Sequence, residues 1–224
     1  MRILLLGATG RTGKWVLKAA LEKGHSVHCL SRNSSRITQQ DGLTIFEGNP
    51  THSADLQKAM EGCEAIISVL NISRTSDFPW ARLRTPKTLL SDTLSHVMPL
   101  AKELNIKRIA ICSAWGVAES KKDIPKWFKW FIDNSNIGVA YADHERQENI
   151  LSQSPLDWTI VRPVGLSNGQ RTETIQESFD NHPKPGMLIS RKSVGHYLVD
   201  SLENKTLVQK KVVISKNKMS DSQP

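Results

Sequence analysis

Cysteine is scarce: Cys29, Cys63 and Cys112 are the whole complement of the 224 residues. An odd number without metal-type spacing excludes a complete disulfide framework and a structural zinc site, and it points to reduced thiols in the cytoplasm. Long apolar runs are missing as well. The run AIISVL at 65–70 is among the longest, far below the roughly 20 apolar residues of a membrane-spanning helix. The short apolar start MRILLLGATGR does not read as a secretory signal, so a cytoplasmic protein with no membrane partner is expected. The seven histidines are scattered and form no H-E-x-x-H pair, so no metal is expected. No G-x-S-x-G elbow and no G-x-x-x-x-G-K-[ST] loop occur, which argues against an α/β-hydrolase and a nucleoside triphosphatase. Acidic residues are in deficit, 22 against 30 basic, for a net charge of +8. That balance leaves nucleic acid, a membrane surface or an anionic ligand open.

Short apolar runs rich in β-branched residues are present at 3–6, 26–30, 43–46, 65–70, 108–112 and 158–161. Amphipathic helical patterns at 12–23, 53–60, 87–104 and 138–152 separate them, and Pro99 is expected to kink or interrupt the third. Alternating strands and helices, with strands too apolar for a wet face, predict an α/β Rossmann-type fold with a doubly wound parallel sheet. After Val161 the chain carries turn signals, then a helical RKSVGHYLVDSLEN and a strand-like KKVVIS. The expected organisation is one domain over 1–218. Residues from about 164 to 218 form a smaller substrate-side part at the sheet's carboxyl edge, and 219–224 form a frayed tail.

The sharpest motif is the first strand running into Gly7-Ala-Thr9-Gly10-Arg11-Thr12-Gly13, which opens a helix. Gly7 permits a tight turn, Gly10 lets backbone approach a pyrophosphate, and Gly13 allows close helix–strand packing. The helix start adds unpaired N–H groups and a positive dipole end. The second strand ends in Ser31-Arg32-Asn33-Ser34-Ser35-Arg36, where an NAD site usually carries Asp or Glu for the ribose. A guanidinium suits the 2′-phosphate of NADP, so Arg32, with Arg36 nearby, predicts NADP (NADPH) over NAD. Asn49 after the third strand is a candidate for framing the adenine, and Leu70 after the fourth for passing beside the adenosine or the nicotinamide ribose.

These residues, with Cys112-Ser113-Ala114 and Leu156-Asp-Trp-Thr-Ile-Val-Arg-Pro163, resemble the atypical short-chain dehydrogenase/reductases. Within them the chain is similar to the NAD(P)H-binding, NmrA-like group that includes the biliverdin and flavin reductases. The match spans about residues 1 to 203. The resemblance implies a Rossmann fold and a nicotinamide cofactor, whereas the group's activities include reductases, isomerases and proteins that only sense NADP. It places Ser113 at the family's serine, His144 near the usual lysine and Ala140 where the tyrosine stands. The reductase branch also lacks that tyrosine and carries a histidine in this region.

The expected function is hydride transfer from NADPH to a flat conjugated small molecule, flavin or quinone first. Ser113 and His144 are the candidate catalytic residues, with Pro163 and Val164 beside the nicotinamide. Phe78, Trp80, Trp115 and Trp127 are candidates for a substrate pocket, because a flat substrate gains from stacking. Trp127, Trp130 and Phe131 share one helical face, with Lys126 and Lys129 away from it. Helix packing explains that face first, then a pocket wall or lid, then a partner surface. Membrane contact ranks last because the segment is short. The rival reading is a non-catalytic NADP(H) sensor, and a weaker one is a sugar-nucleotide epimerase, which normally needs the missing Tyr/Lys pair. Lysines at 120–129 and 205–218 are dispersed and fit no nucleic-acid module, so no nucleic-acid partner is expected, and the chain is expected as monomer or homodimer.

Overall fold

Ile3, Leu4, Leu5 and Leu6 are all buried, and a strand apolar on both faces can exist only at the centre of a sheet covered on both sides. The protein, described here over residues 1–217 by a computed structural model, is built around that strand. The expected tail at 219–224 lies outside the described residues. In chain order the strands and helices are β1 (Arg2–Leu6), α1 (Gly13–Glu22), β2 (Ser26–Ser31), β3 (Leu43–Glu47), α2 (Ser53–Met60), β4 (Ala65–Ser68), α3 (Leu89–Glu103) and β5 (Arg108–Cys112). Then come α4 (Lys126–Asn134), α5 (Ile137–Ser152), β6 (Asp157–Pro163), β7 (Gly165–Ser167), β8 (Ile175–Ser178), β9 (Leu188–Ser190), α6 (Arg191–Glu203) and β10 (Lys210–Lys216). The eight-stranded sheet has the order β3-β2-β1-β4-β5-β6-β10-β8. All its pairings are parallel except that of β8, which runs antiparallel to β10. This is the expected doubly wound α/β sheet, and its strand order reverses between β1 and β4, where such sheets open a crevice.

Alternate side chains of the central strands feed two cores. Ile3, Leu5, Ile67, Ala110 and Val161 join Val16, Leu17, Val194 and Leu198 of α1 and α6. On the other face Leu4, Leu6, Ile66, Ile109 and Ile160 join Leu56 of α2, Leu94 and Val97 of α3, and Leu151 of α5. Among the described residues no helix is long and apolar enough to cross a membrane.

Three details depart from the sequence reading. The fourth strand stops at Ser68 instead of Leu70; the Val69 N–H makes a last bond to the Leu6 carbonyl at 2.9 Å, and the backbone of Val69 and Leu70 passes against Gly7. Helix α3 runs through Pro99. Leu90, Leu94 and Val97 before it and Leu100 and Ala101 after it are all buried, so packing holds both halves while the proline faces solvent. Within the carboxy-terminal part, β7 and β9 form a separate two-stranded sheet, whereas β8 joins the main sheet beside β10. Helix α6 packs on α1, and β10 sits inside the main sheet between β6 and β8.

Candidate dinucleotide site

The Gly-rich turn lies at the carboxyl end of β1. Gly7 has φ +93, a left-handed conformation that strains any other residue, and its carbonyl accepts the Gly10 N–H at 3.0 Å. A Cβ on Gly13 would lie 2.0 Å from the Gly7 carbonyl oxygen, so glycine alone lets α1 begin this close to the strand. The Thr12 side chain makes no capping bond, and the backbone N–H groups of Arg11 and Thr12 have no protein acceptor among the described residues. Unfilled donors at the positive end of a helix form a cradle for an anion. Thr9, Gly10 and Arg11 are exposed around it.

Arginines gather at the same edge. Arg11 donates to both carboxylate oxygens of Asp77, at 2.9 and 2.8 Å, from the Gly-rich turn to the loop after β4. The hydrogen bonds and charge of Arg11 hold the Asp77 carboxyl below its usual range, with Arg191 and Arg74 adding to the effect. The Arg74 Nε is buried without a partner. Three guanidinium groups therefore face one carboxylate, which leaves room for further negative charge.

Beyond β2, Ser31 and Asn33 order the loop: the Ser31 hydroxyl donates to the Asn33 carbonyl, and the Asn33 side chain accepts the Ser35 N–H at 3.0 Å. Arg32 and Arg36 are exposed, and their side chains make no ion pair or hydrogen bond among the described residues. The carboxylate next to them, Glu47, accepts the N–H and hydroxyl of Ser34, which lower its pKa. Arg36 also borders a cavity of about 430 Å³ lined by Ala8, Lys14, Lys18 and Thr38. Asn49 is fixed by its N–H to Asp55, at 2.9 Å, and Leu70 lies half-buried beside Gly7.

Ser113 is held at the carboxyl end of β5 by its N–H to the Val161 carbonyl, 2.7 Å, next to Pro163 and Val164 at the end of β6. Its hydroxyl donates to Glu148 Oε1 at 2.5 Å. Glu148 is fully buried and receives Arg162 Nε at 2.9 Å and a second Arg162 bond on its other oxygen. Arg162 continues to Glu119 at 2.7 Å. Burial would raise the Glu119 pKa, but the hydrogen bonds and charge of Arg162 override it and hold the group at about 2. Sequence reasoning passed over Glu148, although it falls one helical turn after His144. It also passed over Asp77 and the role of Arg162.

His144 is buried on α5, and desolvation lowers its pKa to about 4. Its Nδ1 lies 2.6 Å from the Gln147 amide nitrogen, so it accepts that bond and its proton sits on Nε2. The neighbouring Asp143 faces the other way, accepting the Leu90 N–H and the Ser91 hydroxyl of α3. The four candidate pocket aromatics do not converge on one cavity. Trp115 lies in the core, 5% exposed, whereas Phe78, Trp80 and Trp127 are 62%, 44% and 59% exposed. A cavity of about 600 Å³ beside α4 and α5 is lined by Gly116, Lys121, Tyr141 and Glu145, and by none of these four. Among the described residues no group of three His, Cys, Asp or Glu is placed to hold a metal ion.

A family model described as NAD(P)H-binding matches residues 7–205. The photosystem II assembly factor Ycf39 of Trieres chinensis is 28% identical over 171 residues, which cover 75% of this chain and 47% of that protein. The chain thus spans about half the length of that relative. A short-chain dehydrogenase/reductase of Veillonella parvula, solved in complex with NADP, superimposes with a TM-score of 0.79 at 18% identity, covering 100% of this chain and 98% of that one. ChuY of Escherichia coli O157:H7, described as an anaerobilin reductase, gives a TM-score of 0.78 at 21% identity, with both chains covered in full (100% each). With the glycine cradle and free donors already in place, the chain belongs to the NAD(P)H-binding family.

Proposed function

We propose that this protein is a cytoplasmic, NADPH-dependent oxidoreductase that reduces a flat conjugated small molecule, a flavin or a quinone first. The observation that carries the cofactor preference is the pair of unpartnered arginines after β2, Arg32 and Arg36, beside a carboxylate already engaged by Ser34. In this reading Gly7, Thr9, Gly10, Arg11, Thr12 and Gly13 hold the pyrophosphate. Arg32, with Arg36, takes the 2′-phosphate, and Asn49 and Leu70 flank the adenosine. Bound NADPH supplies a hydride, and an acceptor such as a flavin or quinone needs mainly position and exclusion of water.

The protein's own groups orient more than they protonate. The Ser113 proton is committed to Glu148, so the free lone pairs of its oxygen serve as an acceptor for an amide or hydroxyl at the nicotinamide end, between Pro163 and Val164. His144 is neutral at physiological pH, its Nδ1 engaged by Gln147, while the proton for the product comes from solvent. The same two observations favour a second reading, a non-catalytic NADP(H) sensor.

The test follows NADPH oxidation by the purified protein with FMN, with a soluble quinone and with no acceptor. Acceptor-dependent turnover is expected. Tight NADPH binding without turnover overturns the reductase reading in favour of the sensor.

A further inference from the structure

Large apolar side chains left in water call for a partner when they are contiguous. Phe78, Trp80, Trp127 and Trp130 are exposed by 62%, 44%, 59% and 54%, and they form one surface. Phe78 lies 5.3 Å from Trp80, and Trp80 lies 6.3 Å from Trp130 and 5.8 Å from Phe131. Phe131 in turn meets Trp127 at 6.3 Å. The surface is fixed in place. The Trp80 indole N–H donates to the Asn134 carbonyl at 2.7 Å, and the Asn136 side chain donates to the carbonyls of Trp80 and Ala81 at 3.1 and 3.0 Å. The inner side of α4 is satisfied separately, through buried Ile132 and through Phe128 against Tyr141. The outer rings are therefore surplus to the core.

The same segment is cationic, with Lys126 and Lys129 on α4 but off its ring-bearing face. Lys122, Lys126 and Lys129 are exposed and have no carboxylate partner among the described residues, while Asp133 is already paired with Lys121. We propose that this face docks the protein onto an anionic lipid surface, with Trp127 and Trp130 entering the headgroup layer and the lysines resting on its charge. Every exposed large apolar side chain of the patch is aromatic, the composition of a membrane–water boundary. Lysine is depleted in protein–protein interfaces, whereas beside an apolar helical face it matches an anionic bilayer. The net charge of +8 adds attraction at longer range. The shortness of α4, which alone argues against membrane contact, is offset by the 78–80 loop, which doubles the apolar front.

The experiment is sedimentation of the full chain with vesicles of phosphatidylcholine alone and of equal parts phosphatidylcholine and phosphatidylglycerol. Binding is expected only to the anionic vesicles, and weaker at raised salt. K126Q/K129Q should lower it about 30-fold, and W127S/W130S should abolish it with the unfolding temperature unchanged, since both rings are exposed. Three results overturn the proposal. The unaltered protein stays in the supernatant, or W127S/W130S binds like the unaltered protein. The third is light scattering that shows a dimer which W127S/W130S converts to a monomer.

Discussion

Ser113 and Arg32 stand in opposite situations, and the contrast decides what each substitution should do. Arg32 has nothing to lose inside the protein, so Arg32→Ala should leave stability unchanged. It should cut the NADPH-over-NADH preference by one to two orders of magnitude, the worth of a charge-assisted bond, as read from the two dissociation constants. Glu148 has everything to lose. Glu148→Gln leaves Arg162 short of charge in a buried site and should cost about 3–5 kcal/mol in denaturant unfolding. The buried His144 adds a pH signature. Its folded pKa, about 4, lies below the ordinary 6.5, so the unfolded chain binds more protons between those values. Stability is then fully present above pH 6.5 and falls as the pH drops towards 4, by up to about 3 kcal/mol, and His144→Gln should flatten that slope. The motif-borne residues of the site were legible in the sequence because each sits at a fixed offset from a strand end. The ion pairs were not: Arg11 and Asp77, or Ser113, Glu148 and Arg162, meet only through the fold.

At the scale of elements, α1 and α6 meet at a close helix–helix approach. A Cβ on Gly195 of α6 would lie 2.7 Å from Trp15 Cβ and 2.8 Å from the Trp15 backbone of α1. Backbone cannot retreat as a side-chain tip can, so Gly195→Ala should destabilise by about 1–3 kcal/mol and lower the unfolding temperature. The parallel strands and the helices of the two layers were readable because long, doubly buried runs have an unmistakable pattern. The short strands β7, β8 and β9, of 3, 4 and 3 residues, were not. They are too brief for alternation to show, and Gly165 and the proline-rich 182–186 segment read as turns. Pro99 misled in the other direction, because local helix chemistry was overruled by tertiary packing on both sides of it.

For the molecule as a whole, the sheet's carboxyl edge gathers positive charge that the rest of the fold does not neutralise, and a dinucleotide bound there should stabilise the native state. NADPH at a hundred times its dissociation constant should add about 2.7 kcal/mol, seen as a rise of about 5–10 °C in the unfolding temperature for a chain of this size. The bridge from Arg11 to Asp77 works against that gain. If Arg11 takes the ligand's phosphate as proposed, the loop after β4 becomes an internal competitor, and the observed dissociation constant is the intrinsic one divided by the fraction of molecules in which Arg11 and Asp77 have parted. Asp77→Asn should accordingly tighten NADPH binding and quicken its association. On the proposed site, the native chain would then hold its ligand more loosely than its arginines alone would allow.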